Sequence, residues 1–203
     1  MNAVARISSR APALELSDPL AEVLGALPPG GTFRYTYEDV VKLAGHSCPT
    51  VAGAYLMTLA ALKALYPGAT PERGQIEVTV GGERDDGGSG PMSQVISLLT
   101  GAAPETGFGG LAGRHQRKDL LRFDPTLDGR IRYRRKDTGA AVLVSYDSHA
   151  LPRSPQMRPL LELTLSGKAT PEERLRFGEL WQSVVEDLLT GDPARVIAVR
   201  PAG

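Results

Sequence analysis

The segment from residue 49 to residue 66 constrains the fold most, because it predicts a helix that is apolar over most of its surface. Its large apolar residues recur at helical spacings, at Val51, Tyr55, Leu59, Leu62 and Tyr66. Many of the positions between them hold small residues, which allow another element to approach closely. A helix of this composition is buried in a folded protein. The sequence therefore predicts a buried helix that other elements cover.

The rest of the pattern runs from helices to strands and back to helices. Further helices are predicted near residues 17–27, 36–44, 89–101, 154–165 and 170–189. Strands are predicted at residues 75–80, 120–123, 131–134 and 141–146, with an edge strand at 196–199. Asp128-Gly129 and Thr138-Gly139 supply turns that would join three of these strands into a β-meander. This order predicts an α+β fold, with helices packed on a small, mostly antiparallel sheet that contains a β-meander.

The chain has 203 residues, of which 23 are lysine or arginine and 23 are aspartate or glutamate. This length suits one domain, or one domain with a small appendage, and we expect an N-terminal extension with a short helix at 1–32 before a main domain at 33–203. The balanced charge argues against a nucleic-acid partner and against an anionic membrane surface. No apolar run approaches the ~20 residues of a membrane span, and the first residues lack the apolar stretch of a secretory signal. We therefore expect a cytoplasmic protein.

The single cysteine excludes an intrachain disulfide and any zinc site or iron–sulfur cluster made of four cysteines of this chain. It lies in the segment Gly45-His46-Ser47-Cys48-Pro49, two residues after one of the three histidines. Cys48 falls at or beside the start of the buried helix, where backbone N–H groups favour a thiolate, and the imidazole of His46 can turn toward the same point. Thiolate and imidazole are ligands for zinc or another transition metal. The alternative is a buried cysteine with a structural role.

Three further residues are candidates for the same site. Glu83 and Asp86 lie in a glycine-rich loop after a predicted strand, so either carboxylate could enter a pocket as a ligand or a general base. The alternative for this loop is a solvated surface turn. His115 lies in a basic cluster and could be a third metal ligand, part of an anion-facing edge, or an exposed loop residue. His149 is a weaker candidate for the same role.

The motif at residues 45–49, followed by a helix with Gly53 and Tyr55, resembles the Gly-His-x-Cys-Pro opening of the FmdE family. That family takes its name from a component of molybdenum and tungsten formylmethanofuran dehydrogenases. Other stretches are similar to the family's central helix, its glycine-rich turn and its C-terminal helix, at residues 93–101, 107–111 and 170–181. The resemblance covers about residues 33–189 and makes 33–203 an FmdE-like domain.

The resemblance implies a domain that is often dimeric and that holds a zinc-type metal partly through His46 and Cys48. Three positions depart from the family's pattern. Ala44 stands where members commonly have another histidine, and Pro91 and Ala102 stand near or at positions where members tend to carry cysteines. Either Glu83, Asp86 and His115 complete the site, or the metal is held weakly or not at all.

These observations favour a metal-dependent enzyme acting on a small molecule, with His46, Cys48 and His115 as ligands and Glu83 or Asp86 as general base. The alternative is a non-enzymatic sensor, carrier or accessory subunit that binds a metal or haem, since Cys48-Pro49 also looks like the Cys-Pro element of thiolate-bound haem. In a third interpretation, Cys48 is a nucleophile with His46 as its base and no metal takes part. We expect a homodimer with a small-molecule substrate or ligand.

Overall fold

The computed structural model describes residues 2–202, and their fold is α+β, as predicted. The helices of this range are α1 (Ala3–Arg10), α2 (Pro19–Val23), α3 (Tyr37–Ala44), α4 (Pro49–Leu65), α5 (Ser89–Thr100), α6 (Met157–Leu165) and α7 (Pro171–Thr190). The strands are β1 (Leu14–Ser17), β2 (Thr32–Tyr35), β3 (Ile76–Val80), β4 (Leu121–Phe123), β5 (Ile131–Arg135), β6 (Ala141–Tyr146) and β7 (Ile197–Ala202). Three short 3₁₀ helices lie at residues 125–127, 148–150 and 193–195. Within residues 2–202, no helix has the length and apolarity needed to cross a membrane.

The helix α4 is the centre of the fold, as its composition predicts. It packs against β5, β6 and β7 on one side and against α3, α5 and α7 elsewhere. Most of its residues from Val51 to Leu62 are buried, including the full side chain of Tyr55. Gly53 allows β6 to approach the helix backbone closely, because a Cβ atom at this position would lie 2.7 Å from Cδ1 of the Tyr146 ring on β6. The small residues of α4 therefore place the sheet directly against the helix backbone.

The main sheet has five strands in the order β4-β3-β5-β6-β7. Its β5–β6 hairpin and the edge position of β7 agree with the sequence, but the three strands predicted as a meander are not consecutive in the sheet. β3 lies between β4 and β5, with Val78 opposite Leu121 in a parallel pair and opposite Tyr133 in an antiparallel pair. The physical reason is the intervening helix α5, since a strand–helix–strand connection returns the chain to the same end of the sheet and makes the two strands parallel.

The N-terminal residues form more regular structure than the short helix that the sequence predicts. α1 packs on α3 and α7 through the fully buried Ile7, and β1 pairs with β2 as an antiparallel hairpin. The helix predicted to open at Ser17 is α2, and its capping residue is Asp18. Oδ1 of Asp18 accepts hydrogen bonds from the first backbone N–H groups of α2, and the carboxylate also forms ion pairs of 2.6 Å with Arg73 and Arg117. These buried ion pairs fix the N-terminal segment to the rest of the protein.

Candidate metal centre at the joint between α3 and α4

The joint between α3 and α4 consists of three residues before the capping cysteine, Gly45 to Ser47. α3 begins with a capping box formed by Thr36 and Asp39 and ends at Gly45, whose φ of 72° lies in the left-handed region that favours glycine. Pro49 then occupies the first turn of α4, where the missing N–H costs no hydrogen bond. Both helix ends are therefore set by local sequence, and the histidine and the cysteine are held within one tight turn.

Cys48 is the capping residue of α4, at the position that the sequence predicts. Its backbone is extended, and Sγ accepts a long hydrogen bond of 3.5 Å from the backbone N–H of Val51. The residue is 9% exposed and belongs to the hydrophobic core cluster. The sulfur therefore lies at a helix N-terminus, where the backbone N–H groups favour negative charge.

His46 is exposed, and one of its ring nitrogens has a defined partner. Nδ1 lies 2.9 Å from the carbonyl oxygen of Ala44. Because a carbonyl can only accept, the hydrogen bond requires the proton to be on Nδ1, and the lone pair of the imidazole is then on Nε2. Metal-binding histidines commonly have this arrangement, in which a backbone carbonyl orients the ring and selects its tautomer.

Ser47 connects the joint to α7, a contact that the sequence does not reveal. Its Oγ donates a 2.9 Å hydrogen bond to Oε1 of Gln182 and accepts one of 3.0 Å from the hydroxyl of Tyr37. Its carbonyl oxygen accepts hydrogen bonds from Nε1 of Trp181 and Nε2 of Gln182. The helical spacing of Trp181 with Phe177 indicates only a core position, and nothing local marks Gln182. The two α7 residues fix the backbone between His46 and Cys48.

Two tyrosine hydroxyl groups lie near Cys48. Burial raises the pKa of Tyr37 well above its ordinary value, and its hydrogen bond with Ser47 opposes this rise. Burial also raises the pKa of Tyr146 to about 12, and the hydroxyl of Tyr146 donates a 3.0 Å hydrogen bond to the carbonyl oxygen of Pro49. Both hydroxyl groups therefore stay protonated at neutral pH. They place two neutral hydroxyl groups near the thiol.

The two loop carboxylates, Asp86 and Glu83, differ from each other in their surroundings. Asp86 uses both carboxylate oxygens at the start of α5: it accepts hydrogen bonds from the backbone N–H of Gly88 at 2.8 Å, from the Oγ of Ser89 at 2.7 Å, and from the backbone N–H of Ser89. The hydrogen bonds with Ser89 are the main reason that the pKa of Asp86 lies below its ordinary value. Glu83 is exposed and lines a cavity of about 440 Å³ beside β4, with Arg84, Glu105 and Arg122 among its other lining residues.

The structure does not gather the five predicted site residues into one cluster. Among residues 2–202, no group of three or more histidine, cysteine, aspartate or glutamate side chains is placed to hold a metal ion. His46 and Cys48 share the joint, whereas His115 lies half-buried in a turn with a φ of 57°. His149 is exposed, in the 3₁₀ helix at residues 148–150. The expected triad of His46, Cys48 and His115 is therefore not assembled here, because the turn that carries His115 is a separate loop.

Comparisons with known proteins match a family model and one type of solved structure. A family model described as "FmdE, Molybdenum formylmethanofuran dehydrogenase operon" matches residues 43–198. Among solved structures, the chain is similar to an FmdE-like protein of the tungsten formylmethanofuran dehydrogenase type from Syntrophus aciditrophicus. The two are 19% identical, the match covers 83% of this chain and 72% of that chain, and the TM-score is 0.44. No curated protein sequence matches the chain with significance.

Proposed function

The chain belongs to the FmdE family, whose model matches most of its length, and from that premise we propose that it binds a zinc-type transition metal through His46 and Cys48. The observation that carries this proposal is the hydrogen bond between Nδ1 of His46 and the carbonyl oxygen of Ala44. It leaves Nε2 as the free lone pair on an exposed ring, two residues before a thiol at a helix N-terminus.

The donor types of this pair fit the proposed metal. Imidazole nitrogen and thiolate sulfur are the ligands that zinc prefers, whereas an ion such as Mg²⁺ prefers carboxylate and other oxygen donors. A zinc-type ion held by two protein ligands would polarise a carbonyl group or lower the pKa of a bound water. Gln182 and Trp181 hold the backbone of Ser47 and thereby keep the two ligands at a constant separation.

We propose that the remaining metal positions serve a small molecule, so that the protein is a metal-dependent enzyme. Of the two loop carboxylates, Glu83 is the better candidate for a general base, because Asp86 already binds three hydrogen-bond donors at the start of α5. His115 remains the candidate third ligand. Either residue would need its loop to move toward the joint, since residues 2–202 form no such cluster.

A non-enzymatic role is the second candidate, and the exposure of His46 favours it. The imidazole faces solvent at the protein surface, where a second copy of this chain or another protein could supply the missing ligands. The protein would then be a metal-binding accessory subunit or carrier. Haem, the other cofactor that the Cys48-Pro49 pair suggests, would be recognised by its Soret band.

The test is the metal content of the purified, untagged protein after loading with zinc and dialysis. We expect about one zinc per chain in the wild type and loss of that zinc in His46→Ala and in Cys48→Ala. His149→Ala is the matched control, because His149 is also exposed but lies outside the joint. Since Cys48 is the only thiol, zinc should also slow its reaction with a thiol reagent in the wild type and in the control. Full zinc content in either ligand variant would refute the assignment.

Sedimentation of the same samples tests whether a second copy of this chain completes the site. If a second copy completes the site, zinc produces a dimer in the wild type and His46→Ala stays monomeric. If the metal serves a substrate instead, the oligomeric state does not depend on zinc. His115→Ala and Glu83→Gln then show which loop contributes, by the loss of zinc in the first or of turnover in the second.

A further inference from the structure

A cavity of about 310 Å³ lies next to the joint, on the side covered by α6 and α7. Pro49 forms one wall, so the cavity adjoins the residue that follows Cys48. The other walls include Arg153, Met157, Arg158, Leu161, Trp181 and Val184. The volume is at the lower end of the range of small-molecule sites in proteins. It therefore suits a small ligand.

The floor of this cavity is apolar and rigid. Met157 and Val184 are 8% and 4% exposed and belong to the hydrophobic core cluster. Trp181 packs against the same core and is held by the hydrogen bond from its Nε1 to the carbonyl oxygen of Ser47. An apolar ligand body would therefore displace water from a surface whose side chains are already ordered.

The rim carries positive charge and, among the residues that line the cavity, no acidic side chain. Arg153 is exposed, and the hydrogen bond recorded for its guanidinium is a long one of 3.4 Å to the carbonyl oxygen of Ser148. Arg158 forms an ion pair of 3.1 Å with Glu162 on the same helix, but both side chains are highly exposed and such pairs are weak. Both guanidinium groups can therefore turn to an anion at the mouth of the cavity.

The positive charge of Arg153 acts on Tyr146, whose hydroxyl contacts Pro49 next to the joint. Burial raises the pKa of Tyr146, and the positive charge of Arg153 opposes that rise. The hydroxyl of Tyr146 in turn donates to the carbonyl oxygen of Pro49. A ligand bound between Arg153 and Pro49 would thus lie against the same short stretch of backbone that holds the candidate metal ligands.

We propose that this cavity is a binding site for a small amphipathic anion, whose apolar body lies on Met157, Leu161 and Trp181 and whose carboxylate pairs with Arg153 and Arg158. The apolar floor supplies the affinity, and the two guanidinium groups select the anion over a neutral compound of the same shape. The site needs no metal, so the proposal is independent of the one made for His46 and Cys48.

Octanoate is a suitable probe, and 1-octanol and octylammonium are its neutral and cationic counterparts. Trp181 is the only tryptophan of the chain and lines the cavity, so its fluorescence reports binding at this place. We expect a saturable change with octanoate, at least about tenfold weaker binding of 1-octanol, and no measurable binding of octylammonium. Equal binding of octanoate and 1-octanol would overturn the proposal, as would a fluorescence signal that octanoate leaves unchanged.

Arginine variants test the assignment of the rim. Arg153→Gln combined with Arg158→Gln should weaken octanoate binding about tenfold or more and leave 1-octanol binding as it was. Arg176→Gln is the matched control, because Arg176 is an exposed α7 arginine that lines a different cavity. Unchanged octanoate affinity in the double variant would refute the site. His46→Ala should bind octanoate like the wild type, so a failure of the metal proposal and a failure of this one are distinguishable.

Discussion

Two helix N-termini in this protein use the side chains next to them differently. Cys48 is the capping residue of α4, and Asp86 lies in the loop three residues before the first residue of α5. Asp86 gives both carboxylate oxygens to the backbone and hydroxyl donors of its helix, with three hydrogen bonds. The sulfur of Cys48 makes one long hydrogen bond, to the backbone N–H of Val51.

The difference teaches which of the two groups remains available for chemistry. A carboxylate whose two oxygens accept three short hydrogen bonds is stabilised where it is, and moving it to a metal or substrate would break those hydrogen bonds. A sulfur that accepts one weak hydrogen bond loses little by accepting a metal instead. The carboxylate therefore stabilises the start of its helix, and the thiol is the group that a ligand can recruit.

The largest effect on stability should come from a substitution that fills the space beside α4. Gly53→Ala places a methyl group 2.7 Å from Cδ1 and 2.8 Å from Cζ of the Tyr146 ring, which its hydrogen bond to Pro49 holds in place. The better helix propensity of alanine offsets part of this clash. We expect the free energy of unfolding, measured with urea, to fall by about 2 kcal/mol.

Gly87→Ala is the matched control for this variant, because Gly87 lies in the loop before α5. A Cβ atom at Gly87 has no neighbour within 4 Å, so we expect a change of less than about 0.5 kcal/mol. Equal stability of the two variants would mean that the Tyr146 ring is free to move. The contrast between a packed joint and an open loop would then be wrong.

The next effect concerns the cap of α5. Asp86→Ala removes the side chain that binds the N–H groups of Gly88 and Ser89, and we expect it to lower the free energy of unfolding by about 1 kcal/mol. Asp85→Ala is the control, because Asp85 is an exposed neighbour in the same loop. If Asp85→Ala lowers the free energy of unfolding as much as Asp86→Ala, the effect comes from removing a negative charge from the loop and not from losing the hydrogen bonds at the start of α5.

The same variant has a defined pH dependence. In the folded state the pKa of Asp86 is lowered below 3.8, because the donors at Ser89 and Gly88 favour the carboxylate. Because folding lowers this pKa, the ionised carboxylate contributes to the free energy of unfolding at neutral pH. That contribution is lost as the pH falls below 3.8 and through the pKa of the folded state. The difference in urea midpoint between wild type and Asp86→Ala should therefore shrink only in that acidic range.

The elements that the sequence predicted well are those with local boundary signals. The capping box of Thr36 and Asp39, the left-handed Gly45 and the proline at 49 delimit α3 and α4, and all act within a few residues. The predicted meander was wrong for β4, because the pairing of β4 with β3 depends on how α5 returns the chain. β1 and β2 were missed for a similar reason, since each has four residues and their pairing spans the intervening α2.

The candidate site also has one part that local sequence predicts and another that depends on residues far apart in the chain. The position of Cys48 at the start of α4 follows from the proline after it, a local signal. The hydrogen bonds from Trp181 and Gln182 to Ser47 join residues more than a hundred positions apart, and no spacing along the chain indicates them. The role of Asp86 is local, but its pattern, an acidic residue before a serine in a glycine-rich loop, fits a ligand, a base or a cap equally well.

The smallest expected effect belongs to Glu83, and it tests the comparison most directly. Glu83 is exposed and faces the cavity beside β4, so Glu83→Gln should change the free energy of unfolding by less than about 0.5 kcal/mol. Zinc content should also equal that of the wild type, because Glu83 is proposed as a general base and not as a metal ligand. If Glu83→Gln loses zinc while keeping its stability, the loop before α5 closes on the joint when metal is bound. The two helix N-termini would then form one site, with Asp86 holding the loop and Glu83 supplying the ligand.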